Sequence, residues 1–359
     1  MNIVKATKKY ESWLGQHTPM VAPDLRRKHQ EMARKPFSFL RATFYRWLQL
    51  WPDVCPEVVR APCVLGVGDL HVENFGTWRD TDGRLVWGIN DFDEAEHYPY
   101  TLDLVRLATS SLLAARSKRF SLRPKQAVGA ILAGYTEGLQ DGGQPFVLAE
   151  AHGWLRQIAE NRLRDPIRFW ERIDRLPTVK GDPPQDAREA IEQLLPQPGL
   201  KYRLARRTGG LGSLGHLRFV AIADWRGGRI AREAKALVPS ATHWLDPKRT
   251  PVDSLYSTLL DRAVRCPDPY VMQRGRWVVR RLSPHCSSIE LDSLGKSRDE
   301  VRLLEAMGRE TANIHLGSER RSIRKDLGTR KATWLIHAAE AMARATEKDF
   351  ENWKKGGTP

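Results

Sequence analysis

Residues 208–215 read TGGLGSLG, in which Gly210, Gly212 and Gly215 stand at the spacing G-x-G-x-x-G. The ten residues after Gly215 limit the fold more than the glycines do. In a dinucleotide-binding domain the third glycine opens a helix. Here HLRFVAIADW (216–225) is β-branched and aromatic, turns at Arg226-Gly227-Gly228, and returns as RIAREAKAL (229–237). The glycines therefore fall in a loop between antiparallel strands. Such a loop, Ser213 included, can fold its backbone N–H groups over phosphate oxygens while the next strand supplies a cation. A tight hairpin that needs glycine only for its turn has the same composition. Lys235 and Arg232 are the two candidates for the cation.

The rest of the chain is mostly helical. Residues 24–51 carry apolar side chains at helical spacing, interrupted near Pro36 and ended by Pro52. VLGVG (64–68) reads as a short buried strand, and FGTW, the turn DTDG and LVWGIND (75–91) read as a β-hairpin ending at Asp91. From Thr101 to about Leu194 the period is helical, FVLAEAHGWLRQIAENRL (146–163) included, with breaks at LPTVKGDPP (176–184) and PQPGLK (196–201). WVVRRL (277–282) is strand-like, and Asp299 to Phe350 is helical again. The pattern predicts an α+β chain: a helical lobe over 1–195, a β-rich lobe over 200–285, and helices over 286–359 that complete the helical lobe.

Two polar stretches carry the chemistry, GVGDLHVENFG (66–76) and NDFDEAEHYP (90–99). Asp69 and Asn74 are five residues apart on one loop, and a hairpin leads from them to Asp91-Phe92-Asp93. This spacing suits phosphoryl transfer. One carboxylate must take or orient the proton of an attacking hydroxyl, an amide oxygen five residues on must reach a metal, and a second carboxylate must hold Mg²⁺ against phosphates. Asp69, Asn74 and Asp91 form that set. Asp93 and Glu94 either assist the metal or cap the following turn, and His71 orients the loop rather than binding metal.

GDLHVENFG, NDFDEA and YTLDLVRLA (100–108) resemble the Brenner-type motifs of aminoglycoside phosphotransferase and choline-kinase-like enzymes. KPFSFLRATFYRW (35–47), those motifs, TGGLGSLG, VPSA (238–241) and VVRRL resemble, more closely, an uncharacterised bacterial family known as domain of unknown function two-two-five-two. The resemblance implies a two-lobed, protein-kinase-like fold. It also implies an ATP- and Mg²⁺-dependent phosphotransferase acting on a hydroxyl-bearing, small-molecule substrate. Asp103 resembles the Asp of D-L-A, whose implied role is to accept hydrogen bonds from the catalytic-loop backbone. In such enzymes the glycine loop precedes the catalytic loop; here it comes about 140 residues later. A single active site then requires circular permutation, with 176–203 as the closing linker. The acidic partner of the phosphate-binding cation stays open between Asp253 and Asp261, and alternation lets only one of Arg280 and Arg281 face inward.

Composition narrows the partners. The formal charge of +15 favours phosphate-bearing ligands, although Lys and Arg are spread along the chain and concentrate only in ERRSIRKDLGTRK (319–331), so nucleic acid is not indicated. Four cysteines without a C-x-x-C pair exclude a disulfide framework or zinc knuckle. No apolar run reaches membrane-spanning length and the first 20 residues lack the apolar block of a secretion signal; the expected location is the cytoplasm. Three other functions compete with phosphotransfer: a kinase-like fold transferring AMP, a non-catalytic nucleotide-binding protein, and a metallophosphoesterase. The last lacks the further Asn-His and His ligands that its metal centre needs.

Overall fold

A computed structural model describes residues 1–117, 121–148, 150–160, 165–248, 254–286 and 297–356. The chain opens with four helices, α1 (Ile3–His17), α2 (Ala22–Met32), α3 (Pro36–Ala42) and α4 (Phe44–Val54). Pro36 takes the first position of α3, where its missing N–H costs nothing. The helical stretch at 24–51 is therefore three helices, and the last contains Pro52 instead of ending before it.

Strand β1 (Cys63–Gly66) pairs antiparallel with β4 (Glu96–Pro99), and between them β2 (Phe75–Arg79) and β3 (Leu85–Ile89) form the expected hairpin. The second strand ends at Ile89, two residues before Asp91. Helix α5 (Tyr100–Arg116) is buried on all sides from Tyr100 to Ala114 and forms the centre of the main core. Helix α6 (Pro124–Asp141) comes next and stops at Gly142, whose left-handed φ of 87° suits a residue without a Cβ.

The helix expected over 146–163 does not form as one piece. Phe146–Val147 become β5 and pair with Trp87 and Val86 of β3; Phe146 is buried against the Trp87 ring. Helix α7 (Gly153–Glu160) begins only after His152, whose φ is 57°. Burial of the aromatic ring overrides the local helical period.

Helices α8 (Pro166–Asp174) and α9 (Gln185–Glu192) lead to β6 (Arg203–Arg206), β7 (Arg218–Trp225) and β8 (Gly228–Ala236). After α10 (Ala241–Leu245) and α11 (Tyr256–Arg262) come β9 (Val271–Arg274) and β10 (Trp277–Leu282). These five strands make one antiparallel sheet in the order β6-β7-β8-β10-β9. Residues 231, 233 and 235 of β8 share one face, and 232, 234 and 236 the other. The even face packs on α9 through Ala190, Ile191 and Leu194, and α8 packs on the odd face through Phe169 and Ile173. Both helices, counted with the helical lobe in the sequence, belong to the packing of this sheet.

Helices α12 (Ser297–His315), α13 (Arg320–Thr329) and α14 (Trp334–Gly356) close the chain against α5, α6 and α4. The basic run 319–331 is α13, capped by the Glu319 carboxylate on the Arg321 and Ser322 N–H groups. Among the described residues no helix is long and apolar enough to cross a membrane.

Candidate active site

A cavity of about 220 Å³ lies where three parts of the chain meet: the loops flanking the β2–β3 hairpin, the glycine loop above them, and the N-terminal helices α1 and α2. Asp69, His71, Asn74, Asp91, Asp93, Gly210, Gly212 and Ser213 all line it. A Cβ added to Gly212 would stand 3.6 Å from the Asp69 carboxylate, so the glycine loop sits directly over that group. Gly215, at φ 100°, packs instead on Leu25 and Met20 of the N-terminal segment, and its carbonyl accepts from Val21 N–H.

The loop carrying Asp69 is held from below. Asp103, in the first turn of α5, accepts from the N–H groups of Val67 (2.7 Å) and Gly68 (2.8 Å) and contacts His315 Nε2 at 3.0 Å. The backbone role implied for Asp103 is thus what its contacts show. One turn along the same helix, Arg106 lies between the rings of Phe44 and Trp47, each 4.9 Å away, and donates to Leu40 O and to the Asp69 carboxylate. Burial pushes the Asp69 carboxyl up while Arg106 pulls it back, and the net direction is upward. Sequence reasoning missed Arg106; its position three residues after Asp103, on the same helical face, was the available signal.

Asn74 donates from Nδ2 to the Asp69 carbonyl at 2.8 Å, which turns its amide along the loop. His71 Nδ1 accepts from Glu73 N–H at 3.1 Å, and burial, then Arg41 and Arg106, holds its pKa well below the usual imidazole value. Its ring is neutral and is bonded within its own loop. Arg41 reaches in from α3 to pair with Glu73.

Lys235 crosses from β8 to the hairpin side, 3.0 Å from Asp91 Oδ1 and in contact with Asp93. Burial raises the pKa of Asp91, but Lys235 and then Arg280 outweigh it and leave the group below the ordinary carboxylate range. Asp93 goes the other way: burial and the neighbouring Asp91 charge push it up to about 6. Arg232 does not reach the cavity. It lies on the opposite face of β8, stacked over Tyr270 at 4.6 Å and donating to Leu194 O, and is corrected from a phosphate ligand to a packing residue. Asp261 does not partner Lys235 but lines a different cavity, and Asp253 lies outside the described residues.

Two residues before Lys235, on the same face, Glu233 is fully buried and paired with Arg207, Arg218 and Arg280. Burial alone would raise its pKa, yet the three guanidinium groups hold it well below the usual value. Arg218 also binds Ser213 Oγ, which ties the glycine loop to this cluster. Of the two arginines on β10, Arg280 faces inward, whereas Arg281 stacks on Tyr270 on the far side. A second cavity, of about 250 Å³, adjoins the first through Asn90, Arg207 and Arg280, and is walled by Phe92, Tyr256, Leu260, Val271 and Leu282.

The donor set matches Mg²⁺ only with a phosphate present. Among the described residues no three His, Cys, Asp or Glu side chains converge as a metal cage. Asp93 Oδ1 is nevertheless buried without a hydrogen-bond partner, and the Asp91 side chain is 42% exposed beside it. One or two carboxylates completed by water and phosphate oxygens is how Mg²⁺ is ordinarily bound, so the pair fits that ion in the company of a phosphate ligand.

A family model described as "Uncharacterized protein conserved in bacteria (DUF2252)" matches residues 21–165. The matched stretch holds Asp69, Asn74, Asp91, Asp93, Asp103 and Arg106 and stops short of the glycine loop and Lys235. No curated protein matches the chain, and no solved structure does.

Proposed function

We propose that this chain is a kinase-like phosphotransferase that uses ATP with Mg²⁺ to phosphorylate a hydroxyl of a small molecule. The observation that carries the reading is the meeting of Lys235 with Asp91 and Asp93 beneath a glycine loop that shares its cavity with Asp69. The glycine loop joins the first two strands of the five-stranded sheet and Lys235 stands on the third, which is where protein kinases keep their phosphate-binding lysine. Because the hairpin loops come first in the chain, the reading carries a circular permutation with it.

On this reading Asp91 and Asp93, with the Asn74 amide, hold Mg²⁺, which neutralises phosphate charge when bound. Lys235 turns from the two carboxylates to the phosphates, with Arg207 and Arg280 along the same path. The second cavity, whose walls are part aromatic and aliphatic and part charged, takes the base. Asp69, kept in place by Arg106, receives the hydroxyl proton. The α1–α2 wall beside Asp69 favours a small acceptor over a protein one.

Isothermal titration with Mg²⁺ and ATP is the first test. Wild type should bind and Asp91→Asn should lose the Mg²⁺-dependent part of the affinity; absence of binding by wild type, or an unchanged Asp91→Asn, sinks the reading. Product analysis then separates two chemistries, because ADP marks phosphoryl transfer and pyrophosphate marks AMP transfer.

A further inference from the structure

Nearly every cation around the cavity has a carboxylate of its own. Arg41 pairs with Glu73, Arg106 with Asp69, Lys235 with Asp91 and Asp93, and Arg207, Arg218 and Arg280 share Glu233. Lys28 is the exception. It projects from α2 into the cavity and is 3% exposed, and no acceptor or carboxylate among the described residues lies within hydrogen-bond or ion-pair reach of its ammonium. An ammonium on a nearly buried side chain, facing the cavity without a protein partner, is unfavourable. Burial accordingly lowers the Lys28 pKa, against the pull of the more distant Glu11, Asp69 and Glu94.

Those carboxylates do not supply the missing charge. Asp69 is engaged by Arg106, and Glu94 accepts from Ala241 N–H while burial pushes its pKa up to about 8. His216, directly after the glycine loop, supplies a second unanswered group. It is 9% exposed, lines the same cavity, feels the Lys28 charge, and its Nδ1 is buried without a partner.

We infer that Lys28, with His216 beside it, forms an anion-recognising subsite for the acceptor, so that the molecule phosphorylated carries a carboxylate or a phosphate ester besides its hydroxyl. This inference rests on the phosphotransferase reading. The subsite lies on the α1–α2 side of Asp69, away from the second cavity, and the anion would hold the acceptor while its hydroxyl is presented to Asp69.

The test uses the full chain saturated with Mg²⁺ and a non-hydrolysable ATP analogue, titrated with glycerol 3-phosphate, glycerate and glycerol. Wild type should bind at least one of the two anions and bind glycerol at least tenfold more weakly; the preferred anion distinguishes phosphate ester from carboxylate. Lys28→Met should weaken anion binding tenfold or more with analogue affinity unchanged, which also shows that the variant is folded, and Lys28→Arg should recover part of it. Anion binding equal in wild type and Lys28→Met, or no preference for anions over glycerol, overturns the subsite. Loss of analogue affinity in Lys28→Met overturns it too, by assigning Lys28 to the nucleotide. If wild type does not bind the analogue, the phosphotransferase reading fails by itself, and the same anion titrations on the nucleotide-free chain decide the subsite.

Discussion

The ammonium of Lys235 lies 3.0 Å from a carboxylate oxygen of Asp91, although 144 residues separate the two in the chain. That contact joins the five-stranded sheet to the β2–β3 hairpin at the floor of the cavity. If Lys235 turns to phosphate, Lys235→Met removes a charge-assisted hydrogen bond of about 1.5–3 kcal/mol and should weaken Mg²⁺–ATP binding roughly ten- to a hundredfold. Calorimetry measures it. Lys235→Arg should not restore full affinity, because a planar fork does not replace a compact ammonium; an affinity unchanged in Lys235→Met would remove this residue from the site.

Arg106 is expected to matter for stability as well as for the site. Its guanidinium is buried between two aromatic rings and answers the Asp69 carboxylate and the Leu40 carbonyl. Arg106→Met leaves Asp69 without its cation and should destabilise the fold by ~3 kcal/mol, read from urea denaturation. Arg106→Lys should recover less than half, since an ammonium cannot stack and donate twice in that geometry. A melt unchanged in Arg106→Met would show that the stacked guanidinium contributes little.

Glu310 gives the fold a pH dependence of definite sign. Its carboxylate accepts from Ile89 N–H and Asn313 Nδ2, and burial raises its pKa to about 7 against the opposing pull of Arg265. The unfolded chain releases this proton near the ordinary value of about 4.3. The native state therefore binds more protons between that value and 7, and the contribution is fully present at low pH and lost as pH rises through 7. Denaturation midpoints followed from pH 5 to 8 should fall in wild type, and the fall should be shallower in Glu310→Gln whatever the constant offset of the variant.

Helices α6 and α12 cross closely enough to require glycine on both sides. A Cβ at Gly134 would stand 1.9 Å from the Glu305 carbonyl oxygen, and one at Gly308 would stand 2.1 Å from the Ile131 carbonyl oxygen. Gly134→Ala should thus destabilise by about 1–3 kcal/mol despite the better helix propensity of alanine. Gly129, exposed on the same α6 helix with open space around it, is the control: Gly129→Ala should stabilise by roughly 0.5–1 kcal/mol. Thermal melts of the two variants should shift in opposite directions.

The hairpin at 75–91, the long buried helix after Tyr100 and the strands around the glycine loop were legible because each is a short-range pattern: an Asp-Gly turn between apolar runs, a 3.6-residue period, β-branched alternation. The same holds for the proximity of Asp69, Asn74 and Asp91, which lie on the loops flanking one hairpin. The strand at Phe146 was not legible, because a partner on β3 and a ring against Trp87 decided it.

By itself the sequence determined the α+β class and a polar hairpin with two glycine-loop strands some distance away. Only the tertiary structure decided which cation faces that hairpin. Lys235 and Arg232 differ by an odd number of residues, so the pleat sends them to opposite faces, and the side on which α9 packs sends Arg232 away from the cavity. It also decided that Lys28 belongs to the same cavity as Asp69. Helix α2 carries no local pattern that announces this; its placement comes from packing against the glycine loop through Leu25 and Val21, a long-range contact that local periodicity does not encode.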